Sequence, residues 1–279
     1  MSWHRESRFL ALPQGRAHVV DHGQGPAVLL LHGFLHSAWT WRELIEPLAA
    51  RGLRVIALDL YGYGSSAEVA QGEALDLACW RRWLDDALAA LGIDRLALAC
   101  GNSLGAALIL DLSERLPTER LALINPLCAR LRLPRLPFRL LGLRPLRGLF
   151  GLTAGQPAFT RRALRLTAYR EHPVDAEVLR GFRHLSRPSA HHAACATAES
   201  LGSISGHAAS LAPRVSTSTP TLCLLGERDA VLGRRYRARV EAALPGARVV
   251  RLARSGHCPQ EGDPARVLSE LDQLWTPPR

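Results

Sequence analysis

Short apolar runs alternate with amphipathic stretches of helical length along most of the chain, and that alternation restricts the fold more than any other feature. Runs at 27–31, 54–58, 96–100, 121–124, 221–225 and 248–252 are each bounded by turn-forming residues. Short runs of this kind suit strands buried on both faces of a sheet. Between them, residues 39–50, 75–91, 104–116, 233–244 and 265–275 carry apolar positions at helical spacing. The order strand, helix, strand predicts an α/β fold, a mostly parallel sheet with helices on both faces. Two further runs, 9–12 and 16–21, flank "PQG" and predict a leading antiparallel hairpin, which brings the sheet to eight strands.

The alternation breaks after Asn125-Pro126, at the end of the sixth strand, and resumes near "STPTLCLLG". Residues 1–125 and 214–279 are therefore read as two parts of one core, and 126–213 as an inserted helical lid. Pro134, Pro137, Pro145 and Pro157 divide the first half of the insertion, and "VDAEVLRGFRHL" predicts one regular helix.

Charge is concentrated in this insertion. The net charge is +10, and all 35 basic residues are arginine. Ten of them lie between Asn125 and Arg170, where no acidic residue occurs. Arg130, Arg132, Arg135, Arg139, Arg144 and Arg147 alternate with leucine, phenylalanine and proline. The segment suits the solvated side of a roof over an apolar pocket, a peripheral contact with an anionic membrane, or the steering of an anionic substrate. No recognition motif accompanies the arginines, so they do not indicate nucleic acid. The N-terminus lacks the apolar core of a signal peptide and no run is long enough to span a bilayer, which predicts a cytoplasmic protein. Cys79, Cys100, Cys128, Cys195, Cys223 and Cys258 show no metal or disulfide spacing and read as reduced, mostly buried thiols. Cys258 follows a candidate catalytic histidine and is expected to line a wall, the alternative being that it is more exposed than the other five.

"LACGNSLGAAL" places Gly-x-Ser-x-Gly between an apolar run and a helix. In that context the pentapeptide reads as a nucleophile elbow: the turn is tight, so Gly101 and Gly105 must lack side chains, and Ser103 is projected at a helix N-terminus. The competing reading is a serine acting only as a helix cap. Asp229, in "GERDAVLG", follows one predicted strand, and His257, in "SGHCPQE", follows the next. A serine hydroxyl needs a base, and the base needs an orienting acid; the order Ser, Asp, His at successive strand ends supplies both. The loop "HGFLHSAW" offers the Phe34 N–H as a second oxyanion donor opposite that of Leu104, and His32 reads as a structural pin for that loop.

"HGF", "ALDLYGYGSS", "GNSLG", "GERD" and "SGHCP" together resemble the ordered landmarks of the α/β-hydrolase superfamily. The resemblance implies Ser103 as nucleophile, Asp229 as acid, His257 as base, and Phe34 and Leu104 as oxyanion donors, with no cofactor and no metal. Serine at the elbow sets the chain apart from the haloalkane dehalogenase and epoxide hydrolase branches, which place aspartate there. Asn125 occupies the position after the sixth strand where some relatives keep their acid. At finer grain, "GNSLG", "GHCPQE" and "ALDLYGYG" are similar to pheophytinase-like esterases of photosynthetic organisms. The expected activity is hydrolysis of a small-molecule carboxylic ester with a substantial apolar part, through an acyl-enzyme. The alternatives are a carbon–carbon bond hydrolase of the meta-cleavage type, a perhydrolase, and a non-catalytic ligand-binding protein on the same frame.

Overall fold

The computed structural model describes residues 7–70, 72–131, 156–167 and 174–275. An eight-stranded sheet holds β1 (Ser7–Leu12), β2 (Gly15–His22), β3 (Ala27–Leu31), β4 (Arg54–Leu58), β5 (Leu98–Asn102), β6 (Leu121–Ile124), β7 (Thr221–Gly226) and β8 (Arg248–Leu252). Their spatial order is β1-β2-β4-β3-β5-β6-β7-β8. The leading hairpin is antiparallel and joins β4 antiparallel, while β4, β3, β5, β6, β7 and β8 run parallel. The fold is the doubly covered α/β architecture that the alternation predicts.

Strand side chains alternate between faces, and here both faces are buried. Leu29, Leu31, Ile56, Leu58, Leu121 and Leu123 enter one apolar cluster with α2 (Leu77–Ala90) and α3 (Leu104–Leu112). Their neighbours Val28, Leu30, Val55, Ala57, Ala122 and Ile124 enter the other, against α1 (Arg42–Ala49) and the C-terminal helix Pro264–Trp275. Burial on both sides is why these strands read as continuous apolar runs.

Two expectations shift. The fifth strand begins at Leu98, because Leu96 makes only an isolated bridge to Thr118, and it extends through the polar Asn102, which pairs with Ile124. The sheet therefore reaches the residue before Ser103. In the insertion, "VDAEVLRGFRHL" is not one helix. It forms the short helix Ala176–Gly181, capped by Asp175, followed by a 3₁₀ turn at Arg183–Ser186. The break falls where Gly181 lies on the Trp39 indole: a Cβ there would stand 2.3 Å from Trp39 Cδ2.

The helical insertion after β6 also includes Pro157–Thr167 and a 31-residue helix, Pro188–Ser218. The long helix runs unbroken through Pro213, so the position expected to end the lid lies inside it. Ala208, Ala212 and Val215 bury it in the same cluster as α3. Tyr63 Oη and Thr197 Oγ1, 2.6 Å apart, tie it to the loop after β4. Arg132, Arg135, Arg139, Arg144 and Arg147 lie outside the described residues. Among the described residues no helix is long and apolar enough to cross a membrane.

Candidate active site

Ser103 stands between β5 and α3 with φ 54° and ψ −111°, a left-handed conformation that costs a non-glycine residue about 1–3 kcal/mol. The surroundings fix it there: its N–H donates to Ile124 O at 2.9 Å, and its carbonyl accepts from Leu127 N at 3.1 Å. Its side chain makes no capping hydrogen bond, so the hydroxyl is not the helix cap of the competing reading. The flanking glycines are required by close approach. A Cβ on Gly101 would lie 2.5 Å from Ala106 N, and one on Gly105 2.2 Å from Leu31 O, both backbone atoms that cannot give way.

Asp229 follows β7 and His257 follows β8, and the two side chains meet: His257 Nδ1 lies 2.8 Å from Asp229 Oδ2. The other Asp229 oxygen accepts from Val231 N at 2.7 Å and Leu232 N at 3.0 Å. Burial alone would raise this carboxyl, yet His257 and the two backbone donors hold it below the ordinary carboxylate range. Burial alone would lower the His257 imidazole, yet Asp229 raises it above its ordinary 6.5. Among the described residues no hydrogen bond joins Ser103 Oγ to the His257 ring.

The loop carrying Phe34 lies directly against Ser103, since a Cβ on Gly33 would stand 3.2 Å from Ser103 Cβ. Leu104 N–H belongs to the first turn of α3, which has no intrahelical acceptor. His32 pins this loop as expected: Nε2 accepts from Leu60 N at 2.9 Å, which leaves Nδ1–H to donate to Gly33 O at 2.8 Å. Burial pushes the ring down to about 4, so it stays neutral. Asp59 adds a second anchor by accepting from Ala38 N at 2.6 Å and Ser65 N at 2.8 Å.

Sequence reasoning missed the parts played by Asn102 and Asn125. Asn125 Nδ2 donates to Gly256 O at 3.0 Å and His257 O at 2.9 Å, while its Oδ1 accepts from Gly226 N at 2.9 Å. Asn102 Nδ2 donates to His257 O at 3.0 Å. The two amides thus clamp the loops that carry Asp229 and His257. An asparagine directly after a strand was the available signal, and Asn125 does take a positive φ of 41°. Asn125→Asp keeps the shape but turns the two donors into acceptors facing carbonyl oxygens. We expect it to lose about 3 kcal/mol of stability in chemical denaturation; an unchanged midpoint would contradict the clamp.

Cys258 is buried like the other five cysteines, none of them in a disulfide, so the alternative of greater exposure is not met. His207 pairs with Asp111 at 2.8 Å and His192 with Ala70 O at 3.1 Å. The group with metal-ligand spacing among the described residues is His36, Cys258 and Glu261.

A strained serine at a strand-to-helix turn, on a parallel sheet with a helical insertion after the sixth strand, defines a class of hydrolase fold. The chain matches the alpha/beta hydrolase family over residues 28–270 and belongs to it. An uncharacterized protein of Mycobacterium tuberculosis is 29% identical over 264 residues, covering 90% of this chain and 76% of that protein. A haloalkane dehalogenase loop variant from Bradyrhizobium elkanii superposes with TM-score 0.77 at 20% identity, covering 96% of this chain and 95% of that one. An esterase from Exiguobacterium antarcticum gives 0.76 at 17% identity, covering 96% and 99%. At such identities the superpositions report a shared fold.

Proposed function

We propose that the protein is a serine hydrolase that cleaves a carboxylic ester with a substantial apolar part. His257 takes the Ser103 proton as the hydroxyl attacks the carbonyl, and Asp229 orients the imidazole and stabilises the imidazolium. The Phe34 and Leu104 N–H groups hold the oxyanion. His257 then protonates the leaving alcohol and activates the water that releases the acid.

The observation that carries this reading is the buried His257–Asp229 bond, whose His257 loop is held by Asn102, the residue before a serine in a strained turn with no capping role. The fold is shared with enzymes named dehalogenases as well as esterases. Residue 103 favours the esterase reading, because it is a serine where the dehalogenase branch places aspartate. The apolar cluster of Trp39, Leu164, Val174, Val178 and Phe182, formed by the oxyanion loop and the insertion, supports an apolar substrate.

The test is acid quenching during turnover of p-nitrophenyl butyrate, followed by peptide mass spectrometry. An acyl group on Ser103 is expected; turnover without acylation of Ser103 would overturn the mechanism. The pH profile adds a second check. His257 must be neutral to act as base and Asp229 raises it, so the acid limb of kcat/KM should inflect above pH 6.5. An inflection below that value would contradict the pairing.

A further inference from the structure

Directly beside His257 lies a second chain of groups that ester hydrolysis does not use. Cys258 Sγ is 3.6 Å from His36 Nε2, and His36 Nδ1 is 3.3 Å from Glu261 Oε1. All three are buried, Cys258 most completely at 1% exposure. Glu261 is fixed in turn by Thr40 Oγ1, which donates to Oε1 at 2.5 Å, and by Arg42 Nη1, which donates to Oε2 at 3.2 Å.

A thiol, an imidazole and a carboxylate in this order form a nucleophile, its base and the group that orients the base. The three donors also lie within 4.8 Å of one another, close enough to consider a metal ion. Two features favour the relay over a chelate. The thiol and the carboxylate face opposite nitrogens of the same ring, and Glu261 already accepts from Thr40 and Arg42.

We propose that Cys258 is an activated thiol that hydroperoxides oxidise to a sulfenic acid, and that this modification arrests hydrolysis at Ser103. The second half rests on the esterase reading; the first does not. His36 holds the proton taken from Cys258 while sulfur attacks the distal peroxide oxygen. The S–O bond forms as the O–O bond breaks, and the leaving alkoxide takes the proton from His36. Sulfur gives up two electrons and the peroxide is reduced to an alcohol, or to water from hydrogen peroxide.

The electrostatics agree with this geometry. Burial alone would raise the Cys258 thiol, but the facing His36 and His257 hold it below its ordinary value, against the opposing charge of Asp229. Burial alone would lower His36, which Cys258 and Glu261 instead hold at about 10. Burial pushes Cys79 up to about 11 and Cys128 up to about 12, and raises Cys100 and Cys223 as well. Cys258 also packs in the apolar cluster with Trp39, Leu164, Val178 and Phe182, which places it at the seam between core and insertion.

The route to arrest is short. Cys258 Sγ touches Asn102 Oδ1 at 3.6 Å, and Asn102 holds the His257 carbonyl and immediately precedes Ser103. An oxygen added to sulfur on the Asn102 side enters that contact and displaces the amide.

The experiment treats the purified protein with hydrogen peroxide and traps sulfenic acid with dimedone, with rates read by peptide mass spectrometry. Cys258 should be labelled at least about tenfold faster than Cys79, and His36→Gln and Glu261→Gln should each slow it several-fold. Without dimedone, hydrolysis of p-nitrophenyl butyrate should fall with peroxide and return with dithiothreitol, and Cys258→Ala should resist the loss. Labelling of Cys258 no faster than Cys79, or rates unchanged in both relay variants, would overturn the thiol assignment. Labelling with hydrolysis intact would overturn the arrest alone. Because labelling is read by mass, it reports on the thiol even in a protein that hydrolyses no ester.

Discussion

Ser103→Ala is expected to lower kcat for a p-nitrophenyl ester by about 10⁴- to 10⁶-fold, the range found when the nucleophile of a Ser-His-Asp enzyme is removed. The fold should not register the loss. The hydroxyl makes no capping bond, and the left-handed backbone is imposed by the Ser103 N–H to Ile124 and the Leu127 N–H to Ser103, neither of which involves the side chain. Alanine must adopt the same φ of 54°, so its strain is the serine's strain and Tm should stay within about 2 °C. Ser103→Gly separates the two roles further. It should be equally inactive, yet more stable by roughly 1 kcal/mol, because glycine occupies that φ without a Cβ clash. Kinetics and thermal unfolding of both variants check this; an active Ser103→Ala would remove the nucleophile assignment.

The second large effect is expected at Asp229. Asp229→Asn retains the shape of a buried side chain that accepts from Val231 N and Leu232 N, but it withdraws the negative charge from His257. The loss in kcat at neutral pH should be about 10⁴-fold, since an amide can donate to Nδ1 and stabilise the wrong imidazole tautomer. The pH profile should move as well. His257 is raised only by its partners, and with Asp229 neutral its burial would prevail, so the acid limb should shift from above pH 6.5 to below it. The linked stability follows from the same signs. The elevated His257 adds stability that is full below its unfolded value near 6.5 and is lost as pH rises through the folded value. The depressed Asp229 adds stability that is full above 3.8 and is lost as pH falls through its folded value. Asp229→Asn should therefore flatten the pH dependence of unfolding on both flanks, which denaturation across pH would reveal.

What the sequence disclosed follows from where the physical constraints are local. Leu29 and Leu30 point to opposite faces, yet both are buried, so β3 announces itself as an apolar run. Gly101 sits within a few residues of the atoms that exclude a Cβ, so the elbow can be read from its pentapeptide, although Gly105 is closed off by the distant Leu31 O. Asp229 and His257 could be singled out because each follows a strand within a few residues. Constraints between distant segments were not legible. Asn125 looked only like a missing acid, because its carbonyl partners lie 131 and 132 residues away. Gly181 ends a helix against an indole 142 positions earlier, and nothing in "LRGFRHL" names Trp39. The chain from Cys258 through His36 to Glu261 joins a loop after β3 to one after β8, which only the parallel sheet brings together.

The most direct measurement is covalent labelling of the purified protein with a fluorophosphonate, the adduct being mapped by peptide mass spectrometry. The account predicts one adduct, on Ser103, formed rapidly in the native protein and abolished in His257→Ala. An unmodified Ser103, or labelling at the same rate in His257→Ala, would contradict an activated serine and with it the proposed hydrolysis.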